Sequence, residues 1–321
     1  HCRSDRREQR GRLRIGFLST FFHSHTVGRL SIGIIEHLSR EHFEVIVFRP
    51  PGRTDKISKA INRAADKVIP LSRDLDRDRE IITQQELDIL FYPDIGLVPY
   101  TYFLSFARLA PVQVTSWGHG DTTGVPNIDY FISSSLIEPP GASSQYSEQL
   151  VQLSVLPSYC IRPEAPEKSY SRKDFDLEEG GSLYICPQTL FKFHPDFDNI
   201  IGDLLHRDPE GHLALVDDGK GGCWNTLLIE RISRKYPDIV NRIIFVPKMP
   251  YKKFHGFLTI ADVILDTPTF TGGLTSLQAF AMAVPVVTST TDFMRGRVTS
   301  GYYKQMGLKS LITSDANTYV S

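Results

Sequence analysis

Apolar and polar positions along the chain follow two alternating rhythms. Short runs dense in β-branched and aromatic residues, at 14–19, 43–48, 89–92, 112–117 and 130–133, predict strands. Between them apolar residues recur at helical spacing, as at Leu30, Ile34, Ile35 and Leu38 within 26–39, and residues 74–86 and 99–107 also read as helices. Strands alternating with helices in this order predict parallel strands with crossover helices, an α/β fold.

The rhythm lapses over residues 138–181, where Pro139, Pro140, Pro157, Pro163, Pro166, Gly180 and Gly181 punctuate a stretch with few apolar residues after Leu156. A domain boundary is expected there, separating lobes at 12–160 and 178–321. Strand and helix signals then resume: strands at 183–186, 213–216, 243–246, 263–265 and 286–288, helices at 195–206, 225–235, 251–260 and 273–283. Residues 315–321 read as the start of a helix cut short, so a truncated C-terminus is expected.

The length of 321 residues fits two domains of ordinary size, and 36 Lys+Arg against 37 Asp+Glu give a formal charge of -1. That balance lacks the basic footprint of a general nucleic-acid or anionic-membrane binder. The longest uninterrupted apolar run, residues 279–287, is nine residues with a proline inside it, against the ~20 needed to span a bilayer. Residues 1–14 are crowded with Arg and Asp and do not read as a secretory signal, while a chain beginning at His1 is expected to have been trimmed upstream. Cys2, Cys160, Cys186 and Cys223 are scattered without a Cys-x-x-Cys pair, which argues for reduced thiols and a cytoplasmic protein.

Four segments carry candidate chemistry. In the first, a strand ends at Asp266 and runs through Gly272, Gly273, Leu274, Thr275 and Ser276 into a helix. The glycines would admit a phosphate, and the helix start would offer N–H groups and partial positive charge, although a plain helix start has the same look. The second places Gln188 and Lys192 just past a strand's carboxyl end, where α/β folds hold ligands. Lys192 would neutralise a diphosphate leaving group, or would be a solvated surface lysine. His23-Ser24-His25-Thr26 in the first strand-to-helix loop offers an imidazole, either to take a proton from a hydroxyl or to hydrogen-bond it, or else a helix cap with Ser24 or Thr26 as the capping residue. The last, residues 114–124 with Gly118, His119, Gly120, Thr122, Thr123 and Gly124, suits a sugar or phosphate rim and equally suits tight turns. His23 and His25 have no third ligand near in sequence, and Asp217-Asp218-Gly219 reads as a turn, so no metal site is expected.

Taken in order, Ala110-Pro111-Val112-Gln113, Trp117-Gly118, Thr122-Thr123-Gly124, Ile128-Asp129-Tyr130-Phe131, Tyr146-Ser147-Glu148, Gln188 with Lys192, Ala261-Asp262-Val263, Asp266-Thr267-Pro268 and Pro285-Val286-Val287-Thr288 form a series. It resembles the catalytic region of the O-GlcNAc transferase / SPINDLY family, glycosyltransferase family 41, over residues 14–312. The resemblance implies a GT-B fold, two Rossmann-like domains facing a central cleft, with the nucleotide sugar held by the second, no metal, and inversion at the anomeric carbon. It further implies that Lys192 steadies the diphosphate with Gln188 beside it and that Gly272–Ser276 is the phosphate loop. His25 becomes the active-site histidine, Gly118 with His119 the loop over the donor, and an arginine of 293–297 a group facing the cleft or held in a salt bridge.

The chain departs from the family at three places. Gln278 stands where an acid usually grips the ribose hydroxyls, which removes the charge-assisted part of that bond. The glycine loop lacks the usual polar His or Asn, and the base-contacting stretch 249–257 lacks the Lys, His and Arg series, with His255 one register off. The helical-repeat domain of many members and the last GT-B helix are not in the sequence. The function expected is transfer of a sugar, N-acetylglucosamine first, from a UDP-sugar to protein Ser or Thr hydroxyls. Alternatives are GDP-fucose or UDP-glucose as donor, or a catalytically weak nucleotide-sugar-binding module. An epimerase would need paired carboxylates that the candidate loops do not contain.

Overall fold

The computed structural model describes residues 11–219 and 222–321. The expectations for residues 1–10, including Cys2, lie outside them. The chain divides into two units, the first ending at Ile161 and the second running from Arg162 to Ser321.

The first unit runs β1 (Leu13–Leu18), α1 (Thr26–His37), β2 (Phe43–Arg49), α2 (Lys56–Ala64), β3 (Lys67–Pro70), α3 (Leu75–Thr83), β4 (Ile89–Tyr92), α4 (Pro99–Ser105), β5 (Val112–Ser116), β6 (Tyr130–Ser134) and β7 (Gln149–Leu153). All seven strands are parallel, in the order β3-β2-β1-β4-β5-β6-β7. The central strands are apolar at consecutive positions because both faces are covered. Ile15, Phe17, Val45 and Val47 face one core with Phe22, Ile32, Ile35 and Ile61, while Leu18, Ile46, Phe48, Leu90 and Tyr92 face the other with Leu104 and Ile82.

The second unit repeats this order with β8 (Leu183–Cys186), α5 (Pro195–Arg207), β9 (His212–Val216), α6 (Cys223–Ser233), β10 (Ile243–Val246), α7 (Tyr251–Thr259), β11 (Val263–Leu265), α8 (Leu274–Ala281), β12 (Val286–Ser289), α9 (Val298–Gln305), β13 (Ile312–Thr313) and α10 (Ala316–Val320). Its parallel sheet reads β10-β9-β8-β11-β12-β13. In each unit the chain steps from the first strand outward to one side, then returns to pair its fourth strand with its first. The crevice beyond the carboxyl ends of those two strands is the place where open α/β sheets bind ligands.

Several elements had no counterpart in the apolar pattern. β7 falls inside the stretch 138–181 where the strand and helix rhythm lapses. Like β3, it is an edge strand with one partner and little burial, so polar residues such as Lys67, Gln149 and Gln152 are tolerated and the alternation is lost. α2 buries only Ser58 and Ile61 and is specified instead by its cap, in which Asp55 accepts from the Ile57 and Ser58 N–H groups. α9 and β13 depend on packing against β12.

Candidate functional site

The switch crevice of the second unit lies between the loops that follow β8 and β11, and it brings together Gln188, Lys192 and the loop at Gly272 and Gly273. Gln188, 8% exposed, donates its amide to the Phe270 carbonyl at 3.2 Å, and the Thr267 hydroxyl reaches the same carbonyl at 2.6 Å. Lys192 places its ammonium 3.8 Å from the centre of the Phe270 ring, a cation–π seat. Burial lowers its pKa to about 8 despite the nearby Asp266 carboxylate, which favours the charged form. A half-buried ammonium gains much from an incoming anion, because its charge is poorly compensated by solvent.

Asp266 holds the glycine loop from beneath. It is fully buried, accepts the Gly272 N–H at 2.6 Å and the Thr288 hydroxyl at 2.8 Å, and has the Thr299 hydroxyl beside it. Burial raises its pKa to about 6, so at pH 7 it carries charge. Thr271 extends the brace, its N–H and hydroxyl donating to the Arg295 carbonyl at 2.8 and 3.1 Å. The 293–297 stretch therefore contributes backbone to the loop. The Arg295 guanidinium lies over the Phe293 ring, and Arg297 donates to the Thr291 carbonyl. A Cβ at Gly272 would meet the Ser276 Oγ at 2.3 Å and the Thr275 Oγ1 at 2.7 Å, so glycine is required for the tight approach of these hydroxyls. Among the described residues no side chain caps α8, whose N-cap is Gly273, so the N–H groups at its start, from Leu274 on, are open to a ligand.

Two expected donor contacts turn inward instead. The Ser276 hydroxyl is buried and shares a hydrogen bond with Thr299 Oγ1 at 2.8 Å. Gln278, 4% exposed, bonds His255 Nε2 at 3.1 Å, and His255 is itself 2% exposed. Phe257 sits in the core under the sheet. The Gln278 amide and the His255 ring pair with each other in this dry position, where a lone carboxylate would pay a large desolvation cost.

In the first unit, His25 itself caps α1, not Ser24 or Thr26: its Nδ1 accepts the Val27 N–H at 3.3 Å. The ring stacks on Phe21 at 4.3 Å, and burial together with the neighbouring His23 lowers its pKa. A neutral imidazole accepting at Nδ1 carries its proton on Nε2. Gly118 follows β5 where a Cβ would lie 1.9 Å from the Pro93 carbonyl oxygen, so only glycine lets this loop close against the loop after β4. The His119 ring lies 3.1 Å from the place a Cβ would occupy on Gly96. Glu148 ties the rest of the loop down, accepting the Thr122 hydroxyl at 2.7 Å and the Thr123 N–H at 2.8 Å. Its signal lay in the Tyr146-Ser147-Glu148 triplet, whose tie to Thr122 and Thr123 is made through space. Among the described residues, no three His, Cys, Asp or Glu side chains are grouped as ligands for a metal ion.

Two parallel units of this strand order, each with its crevice at the first and fourth strands, define the GT-B class. A model of glycosyl transferase family 41 matches residues 1–159 and 164–321, and the chain belongs to that family. It is similar to a probable UDP-N-acetylglucosamine–peptide N-acetylglucosaminyltransferase SEC of Arabidopsis thaliana, 28% identical over 92% of this chain and 31% of the relative. A probable SPINDLY enzyme of Solanum lycopersicum, named for the same reaction, is 25% identical over 95% of this chain and 33% of its own length. The UDP-glucose:protein N-β-glucosyltransferase of Actinobacillus pleuropneumoniae is 25% identical over 88% of this chain and 45% of that protein. The chain thus spans about a third of the plant relatives it matches. Among solved structures, a mutant of the Thermobaculum terrenum O-GlcNAc transferase superposes with a TM-score of 0.84 at 27% identity, over 96% of this chain and 58% of that one. Sucrose-phosphate synthase of Thermosynechococcus elongatus, at 14% identity and a TM-score of 0.55 over 96% of this chain and 88% of that one, shares the fold. No helix among the described residues is long and apolar enough to cross a membrane.

Proposed function

We propose that the chain is the catalytic region of an inverting glycosyltransferase that moves N-acetylglucosamine from UDP-N-acetylglucosamine to Ser or Thr hydroxyls of a protein. The observation that carries the reading is the grouping of Lys192, Gln188 and the Gly272–Ser276 loop at one switch crevice, in a chain of this family. The acceptor oxygen attacks the anomeric carbon as the bond from that carbon to the diphosphate oxygen breaks, and the hydroxyl proton passes through water to a phosphate oxygen of the donor. Charge grows on the diphosphate, where the Lys192 ammonium and the N–H groups at Gly273–Thr275 stabilise it more strongly than in the ground state. Lys192 supplies the positive charge in this scheme, and no metal is invoked. With Nδ1 committed to the Val27 N–H, His25 offers its Nε2 to position the acceptor oxygen. The free thiols Cys160, Cys186 and Cys223 suit a reducing, cytoplasmic setting.

The test is transfer from UDP-N-acetylglucosamine to a Ser/Thr peptide, followed by mass spectrometry. Lys192→Met is expected to lower kcat/KM about 100-fold or more without lowering Tm, since a partly buried charge is removed. With a pKa of about 8 in the free protein, Lys192 loses its proton as pH rises through 8, so donor binding weakens on the alkaline side. Lys192→Arg, always charged, should flatten that limb. Full activity in Lys192→Met would refute the reading. UDP-glucose as donor is a second reading, favoured by the Actinobacillus relative's name. The inward pairing of Gln278 with His255 favours a third, a binding module with weak transfer. It would bind nucleotide without turnover.

A further inference from the structure

Behind the His25 loop of the first unit stands a buried acid that the proposed reaction leaves unused. Two other buried carboxylates are committed to partners. Asp78 accepts the Ser72 and Arg73 N–H groups, each at 2.8 Å, and the Tyr100 hydroxyl at 2.6 Å, while Asp198 holds the Arg231 guanidinium at 2.6 and 2.8 Å. Asp94 is as deeply buried, yet among the described residues neither of its oxygens makes a well-formed hydrogen bond. A dry carboxyl left this open is costly, and such groups mark places where chemistry is tuned. β1 and β4 pair in parallel with Phe17 beside Phe91, so the loops that leave them at Ser19 and Pro93 start side by side. The Ser19 hydroxyl is close enough to Asp94 to favour its ionised form.

From Ser19 a chain of hydrogen bonds climbs the loop at every second residue. The Phe21 N–H donates to Ser19 Oγ at 2.9 Å, the His23 N–H to the Phe21 carbonyl at 2.7 Å, and the His25 N–H to the His23 carbonyl at 2.6 Å. The Phe21 ring, stacked on that of His25, closes the path. The loop's other anchors keep one charge state around neutral pH. Arg49 donates to the Phe22 carbonyl, and Asp55 accepts the Ser24 N–H at 2.8 Å. Burial of Asp55 is outweighed by the hydrogen bonds it accepts, which hold its pKa at about 2. Titratable or charged groups on the elements around Asp94 are His23 and His25 on this loop, Arg29 on α1, His119 and Asp121 on the loop after β5, and Tyr92 on β4. Burial is what raises Asp94, to about 7. Once ionised, the carboxylate takes the Ser19 proton in a charge-assisted bond, which polarises the hydroxyl and strengthens its hold on the Phe21 N–H.

We infer that Asp94 is a positioning residue whose ionised form, acting through Ser19 and the hydrogen-bond chain of residues 19–25, fixes His25 for the acceptor, an assignment that rests on the transfer reading above. The experiment measures kcat and kcat/KM for transfer from UDP-N-acetylglucosamine to a Ser/Thr peptide between about pH 5 and 9, with UDP affinity by calorimetry, for wild type, Asp94→Asn, Ser19→Ala and His23→Gln. Wild-type kcat/KM should rise as pH passes about 7 and fall above about 8, where Lys192 discharges. Asp94→Asn keeps an acceptor for Ser19 but no charge, so kcat at its maximum should fall about tenfold and the acid limb should vanish, with UDP affinity within about twofold of wild type. Ser19→Ala, which cuts the chain at its base, should lose rate and acid limb alike, whereas His23→Gln should keep the limb. An acid limb that survives in Asp94→Asn or Ser19→Ala, one that disappears in His23→Gln, or a wild-type rate in Ser19→Ala overturns the assignment and leaves the transfer reading intact. Should Asp94→Asn fail to fold, Ser19→Ala decides. If the folded wild type transfers no sugar, the transfer reading falls and the assignment with it.

Discussion

In the first unit Asp94 lies just past β4, and in the second Asp266 lies just past β11; each strand is the fourth of its unit and pairs with the first. Both side chains are almost completely buried, and burial is the main reason that both pKa values rise, to about 7 for Asp94 and about 6 for Asp266. Their partners differ. Asp266 receives the Gly272 N–H and the Thr288 hydroxyl and faces the Lys192 charge, so its ionised form organises an anion loop. Asp94 has the Ser19 hydroxyl near it to offset part of its burial, but neither of its oxygens makes a well-formed hydrogen bond among the described residues, and no lysine stands by. One topological position thus serves as a charged brace in one unit and as a near-neutral acid in the other, decided by what the following loop supplies.

The largest effect expected from breaking this contrast is on Asp266. Asp266→Ala leaves the Gly272 N–H and the Thr288 hydroxyl without an acceptor in a dry site, a loss of about 3 kcal/mol, measurable as a lower urea midpoint together with lost nucleotide binding. A variant within about 0.5 kcal/mol of wild type would show that the brace is dispensable. Asp94→Asn should act differently. The folded pKa of Asp94 is raised above its unfolded value of 3.8, so the folded state holds the extra proton between those values. The associated stability is present below pH 4 and is lost as pH rises through about 7. Between pH 5 and 8 the wild type should lose about 2 kcal/mol from this group, and Asp94→Asn should remove that slope. Parallel urea midpoints for wild type and variant across that range give the answer, and identical slopes would sink the assignment of a neutral acid. The smallest effect is at His25. Asn caps helices as well as any residue, so His25→Asn should keep stability within about 0.5 kcal/mol, whereas His25→Ala should lose about 1 kcal/mol. If His25 also orients the acceptor, His25→Asn will lower kcat for peptide transfer while leaving donor binding unchanged.

The central strands and most helices were legible because burial on both faces of a parallel sheet demands apolar runs, as in residues 45–48 and 183–186, and because amphipathic helices keep their period. Gln188, Lys192 and the glycine loop were legible as candidates because they lie just past strand ends. Edge strands β3 and β7 were not, since a strand paired on one side can be made of Lys, Gln and Leu. The capping role of His25 also escaped a local reading, because His ranks below Ser and Thr as a cap and was held here by its stacking on Phe21.

By itself, the order of apolar and polar residues determined two α/β units and the strand ends that carry ligand chemistry, and a series of specific residues from Ala110 to Thr288 carried the family resemblance. Contacts between residues 6 to 78 positions apart were decided only in three dimensions: Lys192 over Phe270, Asp266 under Gly272 and Thr288, Gln278 turned onto His255, and Trp224 facing Phe191. The physical reason is that periodicity reports how much of an element is buried. Which polar group meets which is set by strand order and register, and these bring distant loops to one edge of a sheet.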